Sequence, residues 1–124
     1  MYDLLDRPVA ELPAFEGRVL ARTRRWVHAL TLAGTAPAVT AAVDEEAFDA
    51  AMRALDRGSL ETLVFQRPCH STVEETEAVV LGVWRLVHAD RIAAARATAA
   101  ALVDADSARV MVAAMVRSVA NGRD

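Results

Sequence analysis

The chain has 124 residues, 54% of them hydrophobic, which is enough to bury a core without help from a metal or a disulfide. Seventeen acidic residues against fourteen basic ones leave a net charge of −3, the opposite of the basic excess a nucleic-acid binder carries. Every basic residue is arginine, so a Schiff-base lysine and a Walker-type phosphate loop are excluded, and a single cysteine excludes an internal disulfide, a multi-cysteine zinc site and an iron–sulfur cluster.

Residues 1–12, MYDLLDRPVAEL, are acidic and broken by Pro8, with Pro13 just beyond. They predict an irregular N-terminal arm in which Leu4, Leu5 and Val9 can dock on the body. No basic, then apolar, leader pattern is present there. The longest dense apolar run, AVVLGVW, is far short of the roughly 20 residues that span a bilayer. With the lone cysteine, these features lead to the expectation of a cytoplasmic protein without a membrane segment.

PAFEGRVLARTRRWVHALTLAG predicts the first helix, over 14–33, with Pro13 suited to its first turn and Gly34 to its end. Phe15, Val19, Thr23, Trp26, Val27 and Leu30 recur at helical spacing on one side. Arg18, Arg22 and Arg25 line the opposite side, with Arg24 and His28 on its shoulder. A second helical region covers 37–57. In it Asp44 is a candidate cap, Phe48, Ala51, Met52 and Leu55 form the stripe to be buried, and Gly58 is the stop. The stretch SLETLVFQRP is ambiguous. It opens a segment, 59–71, expected as a short helix or an ordered irregular loop, because nothing else in the chain reads as a strand to pair with it.

A third helix is expected over 72–88. The fourth is DRIAAARATAAALV, capped by Asp90. The last is SARVMVAAMVRSVANG, capped by Asp106 or Ser107 and stopped at Asn121-Gly122. Short connections suit antiparallel neighbours. The expectation is one all-α domain over 1–124, a compact bundle of about five helices.

Two of these helices are apolar nearly all round, and such a helix must be covered on more than one side. The third, crowded by Val79, Val80, Leu81, Val83, Trp84, Leu86 and Val87, suits the centre. The last then has a face to spare. Val112, Met115, Val116 and Val119 are its candidate interface, covered most economically by a second copy in a two-fold dimer.

RPCHSTVEETE, residues 67–77, holds the most chemistry per residue. Ser71 and Glu74 have the spacing of a capping box, and Glu74, Glu75 and Glu77 would sit where the helix dipole favours carboxylates. The same stretch offers Cys69, His70 and Glu74, with Glu77 or His88 as a fourth donor, as a zinc site. Adjacent Cys and His in an extended segment point apart, which counts against that set. Cys69 near a helix N-terminus is also a candidate nucleophile, with His28 or His88 as base.

Three functions follow, in this order. The first is a small, bacterial-type, non-enzymatic helical protein acting by protein–protein contact, as a homo-oligomer or as an accessory subunit for a different partner. The second is a metal- or small-ligand-binding protein or an enzyme, centred on Cys69, His70, Glu74 and His88. The third is a nucleic-acid-binding regulator using Arg18, Arg22 and Arg25, against which the acidic balance counts.

Overall fold

A computed structural model describes residues 4–33, 43–60, 63–66 and 68–122. The fold is all-α, as expected. After a 3-10 turn at Val9–Glu11 come α1 (Ala14–Ala33), α2 (Val43–Gly58), α3 (Glu75–His88), α4 (Ile92–Ala99) and α5 (Ala105–Gly122). Gly34, residues 37–42 of the expected second helix and the Asp44 side chain lie outside the described residues. The single domain was inferred from length; the contacts gather into two compact units, Met1–Pro37 with Leu63–Gly82, and Ala38–Thr62 with Val83–Asp124.

In the first unit the N-terminal arm is docked. Residues 6–9 run antiparallel to 71–73, with Asp6 N–H donating to Val73 O (3.0 Å), Val9 N–H to Ser71 O (2.8 Å) and Val73 N–H to Arg7 O (3.0 Å). Leu4 is fully buried. Gly17 N–H donates to Pro13 O (2.9 Å), so Pro13, which has no N–H to lose, opens α1. Val19, Thr23 and Trp26 face inward as the spacing predicted, joined by Leu20. Phe15, Val27 and Leu30 are half-buried. Thr23 Oγ1 donates to Val19 O at 2.8 Å, which lets a hydroxyl sit in the core.

Ser71 does not start α3. It is exposed, and its carbonyl is taken by the arm. The helix begins four residues later, at Glu75, with Ala78 N–H on Glu74 O (2.8 Å). Glu74 is therefore the N-cap, and Glu77 at the third helical position reaches back to the Glu74 N–H (3.0 Å). This is the carboxylate half of a capping box, one turn further along than Ser71–Glu74.

In the second unit α2 packs along α5, and α4 packs against α5. Phe48, Ala51, Met52 and Leu55 are all buried, together with Ala47 and Ala54. Phe48 stacks on Trp84, with ring centroids 5.5 Å apart and planes 18° apart. Gly58 stands at the end of α2 for want of space rather than for its backbone freedom. A Cβ there would fall 2.2 Å from both Cβ and Oγ of Ser107. The Gly58 carbonyl accepts from Asp104 N–H (3.0 Å), and Leu60 N–H donates to Leu102 O (3.0 Å), which pins the end of α2 to the start of α5.

Two caps expected from the sequence move. Asp90 does not cap α4, whose N-cap Arg91 makes no side-chain cap bond. Instead Asp90 takes the left-handed conformation, φ 63°, just after α3. Arg91 N–H then reaches Leu86 O (2.8 Å) and Asp90 N–H reaches Val87 O (3.0 Å), a Schellman closure with an aspartate where glycine is usual. At α5 the cap is Asp104, not Asp106 or Ser107. Its carboxylate accepts from Ser107 N–H (2.8 Å) and Ser107 Oγ (3.0 Å). Those bonds hold the Asp104 carboxyl below its ordinary pKa.

Candidate functional site

The polar centre of the first unit is a pair that helical spacing alone did not single out. Arg24 and Glu77 are each only 1% exposed. Leu20 stands one turn before Arg24 on α1, which turns the Arg24 side chain inward. Glu77 is turned inward by its place on α3, one turn before Val80 and Leu81. The guanidinium grips the carboxylate with two bonds, Nε to Oε2 (2.8 Å) and Nη2 to Oε1 (2.7 Å). The same guanidinium donates to His70 O and Thr72 O, both at 2.8 Å.

The carboxylate is equally occupied. Besides Arg24, Glu77 Oε1 accepts from Glu74 N–H and Oε2 from Gln66 N–H, both at 3.0 Å. Burial by itself raises the Glu77 pKa. The Arg24 hydrogen bonds, the two backbone N–H groups and the Arg24 charge outweigh it, so the carboxyl sits below its ordinary value. Four donors on one carboxylate use the roughly four lone-pair positions it has. Glu77 is thus a staple that ties α1, the 66–72 segment and the start of α3 together, with no acceptor position left for a substrate.

The irregular segment that carries the candidate zinc ligands is held by this staple at the His70 and Thr72 carbonyls. Cys69 is a free, exposed thiol and His70 is exposed. Thr72 Oγ1 lies 3.3 Å from His70 Nε2, and Glu74 accepts from Gln66 Nε2 at 3.0 Å. Among the described residues no three His, Cys, Asp or Glu side chains stand close enough to hold a metal ion, and Cys69, His70 and Glu74 do not form such a group. His88 is exposed at the end of α3.

The candidate interface on α5 divides. Val112, Met115 and Val119 are buried within the chain itself, so they are core rather than contact surface. The reason is geometric: positions 111, 112, 115 and 119 share the side of α5 that faces the second unit's interior. Val116 remains at 38% exposure, and Val110, which the spacing did not single out, stands at 52%. Ala113, Arg117 and Ala120 are exposed on the same outer side, as are Asp106 and Arg109, which pair with one another.

Of the candidate anion face, Arg18 and Arg25 are exposed and Arg22 is half-buried. Trp84 carries one more buried polar atom. Its Nε1 has no hydrogen-bond partner among the described residues, while its ring is stacked on Phe48. Among the described residues no helix is long and apolar enough to cross a membrane. The chain was compared with protein-family models, curated proteins and solved structures, and nothing in any of the three matches it.

Proposed function

We propose that this small helical protein acts through protein–protein contact and not through catalysis, with a second copy of itself as the first partner. One observation supports this most directly. Among the described residues four large apolar side chains are exposed, and three of them, Leu60, Val110 and Val116, belong to the second unit, two on the outer side of α5. Small residues beside them, Ala113 and Ala120, let a facing helix approach closely. The best-organised polar centre, Arg24–Glu77, meanwhile has its acceptors filled from within.

Native mass spectrometry of the full chain, purified without chelator, tests the proposal. The expected result is a species of twice the chain mass that Val110→Glu/Val116→Glu converts to monomer with unchanged circular dichroism. A monomer at every concentration, or a dimer indifferent to that double substitution, refutes self-association through α5. A bound mass lost from Cys69→Ala/His70→Ala would move the function to a ligand site instead.

A further inference from the structure

We infer that the outer side of α1 is a docking surface for an acidic segment of a partner protein, read by Arg18 and Arg25. This goes beyond self-association through α5, because it uses a different helix in the other unit. The outward side of α1 is an unbroken exposed line: Ala14, Arg18, Ala21, Arg25, His28 and Thr31. Its spacing of three and four residues keeps that line on one side of a 20-residue helix. Glu16, the one carboxylate in the α1 sequence, is buried. Arg18 and Arg25 make no ion pair among the described residues, and Arg22 stands between them.

A chain with net charge −3 therefore presents an α1 face whose exposed charged side chains, Arg18 and Arg25, are both positive. Arg18 and Arg25 are seven residues apart, about 10.5 Å along the helix. The small residues Ala14, Gly17 and Ala21 lie beside them on that side, and His28 follows Arg25 one turn on. Guanidinium groups so placed are open to planar, two-pronged pairing with carboxylates.

The charge balance selects the class of partner. Screening confines attraction to about 8 Å at physiological salt. A short acidic segment laid along α1 feels the arginines and little else. A nucleic acid carries its phosphates well past the ends of so short a patch, where it meets a protein of net negative charge. The partner is accordingly a polypeptide bearing Asp or Glu side chains about 10 Å apart, the span of two helical turns.

The test is fluorescence anisotropy of a labelled oligoglutamate peptide with the full-length chain, at low and at physiological salt. A single-stranded oligonucleotide of equal charge runs in parallel. The expected result is peptide binding that weakens about tenfold in Arg18→Gln/Arg25→Gln. Arg91→Gln/Arg96→Gln, changing two exposed arginines elsewhere, and Val110→Glu/Val116→Glu should bind as the parent does. Circular dichroism and tryptophan emission from Trp26 and Trp84 check that each variant is folded. No peptide binding, an equal loss in the Arg91/Arg96 variant, or tighter binding of the oligonucleotide overturns the inference. A failure of the α5 dimer leaves this readout unchanged, so the two proposals fail separately.

Discussion

Glu77→Gln is the sharpest perturbation of the first unit. It keeps the shape of the side chain and removes its charge. Arg24 stays where it is, 1% exposed, as a cation facing an amide. Two of the four donors on the carboxylate, one from Arg24 and one backbone N–H of Gln66 or Glu74, then meet an NH2 group in place of an oxygen. Breaking a buried pair from one side costs about 3–5 kcal/mol, because the remaining ion is uncompensated. With a urea m-value of about 2 kcal/mol/M, a cost near 4 kcal/mol moves the midpoint down by about 2 M. Trp26 fluorescence in a Trp84→Phe background reads this out for the unit that holds the pair.

The pH dependence follows from the direction of the Glu77 shift. The folded carboxyl is held below its ordinary value, so its contribution is complete above the unfolded-state pKa, about 4.3. That contribution is lost as pH falls through the folded pKa. The gap between parent and Glu77→Gln should be flat above about pH 5 and should close in acid. A midpoint shift worth under about 1 kcal/mol at neutral pH, or a gap that does not narrow in acid, refutes the account of the pair as the staple of this unit.

Gly58→Ala sets two rules against each other. Helix propensity alone favours alanine by about 1 kcal/mol, but the new Cβ would stand 2.2 Å from Ser107 Cβ, so the expected sign is a loss of about 1–3 kcal/mol; any gain in thermal stability disproves the close approach. Asp90→Gly removes the left-handed strain of an L-residue at φ 63° and should raise stability by about 0.5–1 kcal/mol in a urea titration. A loss there would mean that the Asp90 side chain makes a contribution larger than that strain.

Most of the fold was legible because it follows from spacing. Phe48, Ala51, Met52 and Leu55 recur at three and four residues, and a helix leaves such a stripe no choice but to face the core. The caps were less legible, because several residues nearby are chemically able to cap. Ser71 and Glu74 have the spacing of a capping box. Yet the Ser71 carbonyl is drawn into the arm pairing with Val9, which moves the helix start to Glu74 and the reaching carboxylate to Glu77. Asp104, two residues before Asp106, wins at α5 because Gly58 accepts its N–H and sets the chain's direction there.

The site was harder still. Arg24 sits in TRRW among arginines that do face water, and its partner is 53 residues away. Periodicity cannot see such a partner. A signal was present all the same: Arg24 lies one turn after Leu20, on the buried edge of the stripe. An arginine in that register, in a helix whose one carboxylate is Glu16, calls for an acceptor from elsewhere in the chain. The α5 face was legible only in part: Val116 is exposed, whereas Val112, Met115 and Val119 are buried within the chain. An apolar helix shows how much surface must be covered but not by what, and within the chain α5 packs against α2 and α4.

The arginine-only composition acquires a physical meaning at Arg24. The side chain meets three acceptors, the Glu77 carboxylate and the carbonyls of His70 and Thr72, through four bonds of 2.7–2.8 Å from one planar group. A lysine ammonium has three donors at a single point and cannot hold a two-pronged carboxylate while also reaching two carbonyls. The guanidinium therefore does at the centre of the first unit what separate backbone bonds would otherwise have to do: it fixes an irregular segment that has no helix of its own. On the outer side of the same helix, the arginines at 18 and 25 are exposed and make no ion pair among the described residues. One residue type thus closes the fold where the helix turns inward and stands in solvent where it turns outward. The difference between Arg24 and Arg25 is one residue, which on a helix is a rotation of about 100°.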